Sequence, residues 1–211
     1  MSPRLERHDI TGLILAGGRG SRMGGVDKGL QRLDGQPLVW HALQRLRPQV
    51  GAVIVNANRH LDEYQQDGLT VCPDSLADFQ GPLAGFLVGL QNARTPYVLT
   101  VPCDSPRFPL DLANRLAEAL VSEQADIAMV SAPEQNGHGE FVLRSQPVFC
   151  LMPVRVQASL HEFLASGQRK IDRWTAQHHT VLVPFDGAQD DPSAFANINT
   201  LAELNSLPPA P

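Results

Sequence analysis

The chain has 211 residues with 43% hydrophobic content, enough for one well-packed domain and short for two. Its formal net charge of −5 argues against a nucleic-acid-binding protein, because such binding depends on an excess of cations facing the phosphates. No apolar run approaches the ~20 residues needed to cross a bilayer, and residues 1–8 lack the apolar centre of a signal peptide. We therefore expect a cytoplasmic protein with no nucleic-acid or membrane partner. One domain is expected at residues 10–206, between flexible termini at 1–9 and 207–211.

Seven short apolar runs predict buried strands, and segments with helical spacing of apolar residues lie between them. The predicted strands are 12–16, 52–56, 69–72, 97–103, 127–131, 147–151 and 181–185. The predicted helices are 38–46, one that opens at Gly81-Pro82, and then 110–121, 153–165 and 169–179. This alternation is typical of the α/β class. We predict a single three-layer αβα domain, Rossmann-like, whose mostly parallel sheet of about seven strands carries helices on both faces.

The first predicted strand runs into a glycine-rich segment with several cations, residues 15–28. It reads Leu15-Ala16-Gly17-Gly18-Arg19-Gly20-Ser21-Arg22-Met23-Gly24-Gly25-Val26-Asp27-Lys28. Glycines let backbone N–H groups turn toward an anion, and fixed cations neutralise the charge that a polyphosphate brings. A nucleoside triphosphate suits such a segment. We expect Leu15, Ala16, Gly17 and Gly18 to bind the nucleotide.

The spacing within this glycine segment excludes two common phosphate-binding loops. A Walker loop needs Ser or Thr after its lysine, but Lys28 is followed by Gly29. A dinucleotide fingerprint needs Gly or Ala where this chain has Met23.

Lys28, Arg22 and Arg19 are the cations of the glycine segment. A lysine after the glycine run can reach the α- or β-phosphate and stabilise the charge that grows as pyrophosphate leaves. We assign Lys28 and Arg22 to catalysis, and Lys28 and Arg19 to nucleotide binding. The alternative for each is a solvated surface position, which is usual for long basic side chains.

Polar residues stand where three predicted strands end. Asp104 follows the strand 97–103, at the sheet edge where open α/β sheets bind ligands, and its carboxylate suits Mg²⁺. Asp74 follows the strand 69–72, and Asn56 ends the strand 52–56. The alternative for the two aspartates is a turn or a helix cap. For Asn56 a base edge and a neighbouring backbone group serve equally well as partners.

Asn197 and Asn199 lie in the segment Phe195-Ala196-Asn197-Ile198-Asn199-Thr200. Alternation places both on one face of a short strand, which can point at the metal site. We expect one of the two to be a second metal or phosphate ligand. The alternative is that both residues only shape the entrance to a helix.

The motifs in this order resemble those of the nucleotidyltransferases, and among them the molybdenum cofactor guanylyltransferases. The matching residues are Leu15-Ala16-Gly17-Gly18, Arg22-Met23-Gly24-Gly25, Asp27-Lys28, Asn56-Ala57-Asn58-Arg59, Asp74-Ser75, Gly81-Pro82-Leu83-Ala84-Gly85, Pro102-Cys103-Asp104 and Asn197-Ile198-Asn199-Thr200. The resemblance implies transfer of GMP from GTP to molybdenum-loaded molybdopterin, with Mg²⁺ and release of pyrophosphate. It also implies that Asp74 contacts the nucleotide and that Gly81 and Pro82 lie near its base and ribose. A molybdopterin carrier or a molybdoenzyme chaperone is an expected protein partner.

Other readings of the same residues remain open at this point. The related cytidylyltransferases resemble Leu-Ala-Ala-Gly at the loop start, whereas Gly17 stands third here, which favours guanine. A sugar-phosphate or methylerythritol-type nucleotidyltransferase uses a similar loop for another acceptor. A non-catalytic nucleotide-binding module that docks to assembly partners is the alternative of a different class, and the presence of both Lys28 and Asp104 argues against it.

Overall fold

A seven-stranded, mostly parallel sheet forms the centre of the protein. The computed structural model describes residues 4–17, 27–75, 81–137 and 139–198. The strands are β1 (Ile10–Leu15), β2 (Arg32–Leu33), β3 (Gln36–Pro37), β4 (Ala52–Asn56), β5 (Thr70–Cys72), β6 (Tyr97–Pro102), β7 (Ile127–Gln135), β8 (Phe141–Pro153) and β9 (Thr180–Pro184). The sheet order is β5-β4-β1-β6-β8-β7-β9. β8 runs antiparallel to both of its neighbours, β6 and β7, whereas the other four pairings of described strands in this sheet are parallel.

Helices cover both faces of this sheet. They are α1 (Leu38–Leu46), α2 (Leu61–Tyr64), α3 (Pro82–Asn92), α4 (Leu112–Ser122), α5 (Gln157–Ala165) and α6 (Ile171–Thr175). Apolar residues of α1 and α4 form one core cluster with Ile14 of β1, and those of α3, α5 and α6 form a second cluster with Leu13. Successive residues of β1 thus point into opposite cores, which explains why this strand is mostly apolar. The predicted fold class is confirmed.

The seven predicted strands all appear in the sheet, but two of them are longer than their apolar runs. β7 and β8 continue as a hairpin in which Ser131–Gln135 pair with Phe141–Ser145. These added residues are mostly exposed or half-buried, so cross-strand hydrogen bonds and not burial define them as strands. The strand prediction rests on apolar runs, and these runs end where the hairpin leaves the core.

Four local elements differ from the sequence prediction. The helix expected at 169–179 spans only Ile171–Thr175, and the single-turn helix α2 was not predicted. β2 and β3 form a small second sheet joined at Asp34 and Gly35, whose φ angles of 51° and 80° suit a tight hairpin turn. The Arg7–Asp9 segment forms a 3-10 turn and Leu5 packs against the core, although 1–9 was expected to be flexible.

The strand expected around Asn197 is wrong for the described residues 195–198. A turn ends at Phe195, and 196–198 have no regular structure. The Phe195 ring packs edge-on against Phe149 and Phe185, at centroid distances of 4.9 and 5.1 Å. Aromatic packing therefore contributes to holding the segment, and over the described residues 195–198 no strand ladder does so. Asn199 lies outside the described residues.

None of the described helices combines the length and the hydropathy that a membrane-spanning helix needs.

Candidate active site

The carboxyl ends of β1, β4 and β6 lie side by side at one edge of the sheet. Leu15 is paired with Asn56 on one side and with Pro102 on the other. Two hydrogen bonds extend these pairings, from Ala16 N to Asn56 O at 2.8 Å and from Cys103 N to Leu15 O at 3.1 Å. The segments that begin at Ala16, Ala57 and Cys103 therefore leave the sheet together. This is the edge at which open parallel sheets bind their ligands.

Lys28 and Asp104 meet at this edge. The Lys28 Nζ lies 3.2 Å from Asp104 Oδ2, and the two side chains are 24% and 19% exposed. Each charged group therefore lies beside an opposite charge, and both side chains remain partly accessible to a ligand. The carboxyl end of β6 places Asp104, while Lys28 opens the 3-10 turn Lys28–Leu30 that follows the glycine segment.

Asp27, just before Lys28, is held by two hydrogen bonds inside the protein. Its Oδ1 accepts from Gly29 N at 3.1 Å and from the Tyr64 hydroxyl at 2.5 Å. Asp27 is 7% exposed and Tyr64 is 1% exposed. Burial raises the pKa of the Tyr64 hydroxyl far above its usual value, so this group remains a protonated donor.

A second polar cluster surrounds Asp74. Asn56 Nδ2 donates to Asp74 Oδ1 at 2.9 Å and to Cys72 O at 3.2 Å. Asn58 Nδ2 donates to Asp74 Oδ2 at 2.8 Å and to Gly17 O at 3.2 Å. Asn58 Oδ1 accepts from Asp74 N at 2.7 Å. The amide of Asn56 and that of Asn58 each donate two hydrogen bonds, and together they hold the Asp74 carboxylate beside Gly17.

Two glycines allow this close packing. A Cβ at position 17 would lie 2.8 Å from Asn58 Nδ2 and 2.9 Å from Asn56 Oδ1, which is closer than real Cβ contacts. A Cβ at position 85 would lie 2.5 Å from Asn56 Oδ1 and 2.4 Å from Leu15 Cδ2. The third residue of the glycine segment is therefore glycine for a steric reason: any side chain there would displace the amides that hold Asp74.

Gly81 and Pro82 open α3 beside this cluster. Gly81 has φ of 79°, a conformation that favours glycine, and Pro82 is the first helical residue, where its missing N–H is tolerated. One turn later, Gly85 packs against Leu15 and Asn56. The predicted helix start at Gly81-Pro82 is confirmed, and α3 begins next to the sheet edge that carries the polar cluster.

Asn197 lies next to Asp104 although it is not on a strand. Ile198 N donates to Asp104 O at 2.8 Å, and Asn197 Oδ1 accepts from the buried Ser105 hydroxyl at 2.6 Å. The Asn197 side chain is therefore engaged with the Asp104 loop. Over the parts of the chain that the structure describes, no group of three or more His, Cys, Asp or Glu residues could hold a metal ion.

The structure brings together most of the residues selected from the sequence. Those at or beside the one sheet edge are Leu15, Ala16, Gly17, Lys28, Asn56, Asp74, Gly81, Pro82, Asp104 and Asn197. Four others lie outside the described residues, namely Gly18, Arg19, Arg22 and Asn199. Sequence reasoning did not select Asn58 and Tyr64. Asn58 carried a usable signal, a polar residue just after a buried strand, whereas nothing local marks Tyr64 as a partner of Asp27.

Known proteins match this chain over most of its length. A family model described as the MobA-like NTP transferase domain matches residues 12–181. A protein from an Acidovorax species, named molybdenum cofactor guanylyltransferase, is 61% identical over 204 residues that cover 96% of this chain and 97% of that protein. A protein of the same name from Bordetella petrii is 60% identical over 204 residues, with coverages of 97% and 100%.

Solved structures share the fold at much lower identity. Molybdopterin-guanine dinucleotide biosynthesis protein A from Archaeoglobus fulgidus gives a TM-score of 0.70 at 17% identity, covering 92% of this chain and 95% of that one. A 4-diphosphocytidyl-2C-methyl-D-erythritol synthase from Anaerococcus prevotii gives 0.69 at 13% identity, with coverages of 95% and 96%. These two similarities concern the fold alone. The family model and the close relatives are decisive: the chain belongs to the MobA-like nucleotidyltransferases, in the family of the molybdenum cofactor guanylyltransferases.

Proposed function

We propose that this protein transfers GMP from GTP to molybdenum-loaded molybdopterin and releases pyrophosphate. The observation that carries the proposal is the pairing of Lys28 with Asp104 at the ligand-binding edge of the sheet, in a chain 61% identical to a molybdenum cofactor guanylyltransferase. The product is the guanine dinucleotide form of the cofactor. A cytoplasmic location fits this biosynthetic role.

The chemistry requires alignment and charge stabilisation, and no protein nucleophile. A phosphate oxygen of molybdopterin attacks the α-phosphorus of GTP, and the bond from that phosphorus to the oxygen bridging the α- and β-phosphates breaks. The electron pair of the broken bond leaves on pyrophosphate. Lys28 is placed to stabilise this developing charge, because a preorganised cation is most effective where charge grows.

Asp104 is the residue best suited to a divalent ion, and we propose Mg²⁺. Its carboxylate offers hard oxygen ligands at a partly exposed position, 19% accessible, and Asn197 lies beside it. The small donor set fits, since Mg²⁺ keeps several waters and uses one or two protein carboxylates together with phosphate oxygens. When bound, Mg²⁺ would supply positive charge to the phosphates. Asn197 Oδ1 already accepts from Ser105, so Asp104 is the primary ligand in this proposal, with Asn197 or Asn199 as the second.

The nucleotide is proposed to lie along the sheet edge between the glycine segment and α3. We propose that Leu15, Ala16 and Gly17 bind the nucleotide, together with Gly18 and Arg19, which follow them in the sequence. Asp74 and Asn56 lie in one rigid hydrogen-bonded cluster, which supports their role in positioning the nucleoside. Gly81 and Pro82 complete this side at the start of α3. Arg22 is proposed to assist Lys28.

Pyrophosphate release measured with GTP, CTP and ATP in parallel, with and without molybdenum-loaded molybdopterin, tests base and acceptor choice together. We expect release only when GTP and molybdopterin are both present. Equal release with CTP would contradict the guanine assignment. Release that depends on a sugar phosphate would contradict the acceptor, and tight GTP binding without any release would indicate a non-catalytic module. Adding a molybdopterin carrier or a molybdoenzyme chaperone to the same assay tests the proposed protein partners.

A further inference from the structure

The Tyr64 hydroxyl lies buried at the site, and the function proposed so far does not use it. Tyr64 ends the single-turn helix α2 and is 1% exposed. Its hydroxyl donates to Asp27 Oδ1 at 2.5 Å, across a separation of 37 residues. A buried hydroxyl needs a partner, and a carboxylate is a strong one. This hydrogen bond therefore joins the segment after β4 to the end of the glycine segment.

Asp27 in turn shapes the turn that carries Lys28. It is the N-cap of Lys28–Leu30, and the oxygen that accepts from Tyr64 also accepts from Gly29 N at 3.1 Å. Gln31 Nε2 donates to Asp27 O at 3.2 Å and closes the turn from the other side. The Asp27 carboxylate is thus bonded to Gly29 N and to Tyr64, and its carbonyl to Gln31, so the residues on both sides of Lys28 are held.

The turn also packs directly on Tyr64. A Cβ at position 29 would lie 2.3 Å from the Tyr64 hydroxyl oxygen and 3.2 Å from its ring carbon Cζ. Only glycine lets the backbone approach this closely. The backbone after Lys28 therefore rests against the tyrosine ring, while its ammonium reaches Asp104 at 3.2 Å.

We propose that Tyr64 is a positioning residue for Lys28: its hydroxyl orients the Asp27 carboxylate, and the capped turn aims the Lys28 ammonium at the triphosphate. The inference rests on the function proposed above. Tyr64 does not touch the substrate. It acts on the transition state only through Lys28, so its removal lowers kcat without a matching change in the affinity for GTP.

The test is Tyr64→Phe, which keeps the buried ring and removes only the hydroxyl. We expect kcat for pyrophosphate release to fall about 10-fold to 100-fold, the usual cost of misplacing a catalytic group, with KM for GTP within about threefold of the unaltered protein. The chain has two tyrosines, which offers a matched control. Tyr97→Phe makes the same change at the amino end of β6, the opposite edge of the sheet, and is expected to leave kcat unaltered.

A double-mutant cycle separates positioning from a general loss of stability. If Tyr64 acts through Lys28, then Tyr64→Phe has no further effect on the single-turnover rate once Lys28→Ala is present. A merely structural tyrosine would lower the rate by the same factor in both backgrounds. That additive result, or an unaltered kcat in the single variant, overturns the inference.

Asp27→Asn is the second variant, for the case in which Tyr64→Phe does not fold at the assay temperature. It retains the shape of the side chain and replaces the charged acceptor with an amide, and we expect the same loss of kcat and the same non-additivity with Lys28→Ala. Wild-type rates in Asp27→Asn overturn the inference. Failure of the proposed function itself is distinguishable, because the unaltered protein would then release no pyrophosphate from GTP and molybdopterin.

Discussion

The Lys28 ammonium lies 3.2 Å from the Asp104 carboxylate, although 76 residues separate them along the chain. The contact joins the end of the glycine segment to the carboxyl end of β6, so the two groups selected for phosphate and metal binding meet at one point. The attraction within a partly buried pair such as this one is offset by the cost of removing both charges from water, so the pair is weak evidence for a stabilising role. Its position at the ligand-binding edge is better explained by function, since either partner is free to exchange its counter-ion for a ligand.

Asp104→Ala is expected to abolish turnover and leave the fold intact. The substitution removes the proposed primary ligand for Mg²⁺, and a loss of at least about 100-fold in kcat is expected for a group that stabilises transition-state charge. The backbone contact from Ile198 N to Asp104 O does not depend on the side chain, so the loop is retained. Pyrophosphate release and thermal melting measure the two effects. Wild-type turnover at saturating Mg²⁺ and GTP would show that the assignment is wrong.

Lys28→Ala is expected to lower catalysis more than nucleotide binding. The ammonium acts mainly on charge that appears as pyrophosphate leaves, so kcat is expected to fall about 100-fold to 1000-fold while Kd for GTP changes much less. Steady-state kinetics and equilibrium GTP binding check this split. Arg32→Ala is a suitable control, because Arg32 lies in the nearby β2 hairpin and donates to Gly35 O, away from Asp104. A Kd that rises as much as kcat falls would assign Lys28 to ground-state binding.

Asn58→Ala is expected to weaken GTP binding. It removes two hydrogen bonds to Asp74 and one to Gly17 O, so the Asp74 carboxylate loses part of the cluster that holds it. A rise in Kd of about 10-fold, roughly one lost charge-assisted hydrogen bond, is expected, with a smaller change in kcat. Isothermal titration with GTP measures it. Asn92→Ala, at the far end of α3, is the matched control, and equal affinities in the two variants would contradict the role of Asn58.

The Asp190–Arg115 pair is expected to make stability depend on acid pH. Hydrogen bonding from Arg115 lowers the pKa of the Asp190 carboxyl, and Arg115 Nη1 lies 2.6 Å from Asp190 Oδ1. A lowered native pKa means that the pair stabilises the fold above the unfolded value of about 3.9, and that this contribution is lost as pH falls through the native pKa. Asp190→Asn should therefore lower Tm at pH 7, by about 2–4 °C for a contribution near 1 kcal/mol.

The same pair gives a clear control. Melting of the unaltered protein and of Asp190→Asn at pH 3 should differ less than at pH 7, because pH 3 lies below the unfolded pKa of about 3.9 and the contribution of the pair is lost as pH falls further toward the lowered native pKa. Asp186→Asn changes an exposed carboxylate in the same segment and is expected to alter Tm less. A Tm difference that grows toward pH 3 would contradict the sign of the argument.

Local patterns in the sequence were sufficient for the α/β class and for most of the sheet edge. β1 and β6 are mostly apolar because both faces of each are buried, and such runs are visible without a structure. Asp104, Asp74 and Asn56 were found because a polar residue after a buried strand in a parallel sheet must emerge at its carboxyl edge. The family resemblance was likewise carried by short motifs that lie in chain order.

Tertiary structure alone decided the features that depend on contacts between distant segments. The antiparallel direction of β8 appears only in its pairing with β6 and β7, and the described segment at Asn197 is held without a strand ladder, by Phe195 packing and by hydrogen bonds to Asp104 and Ser105. The hydrogen bond from Tyr64 to Asp27 joins two residues with no common local pattern. Periodicity reports only whether a residue is buried, whereas its partner is set by the register and packing of elements far apart in the chain. The sequence alone therefore identified candidate site residues, whereas only the fold determined which of them contact one another.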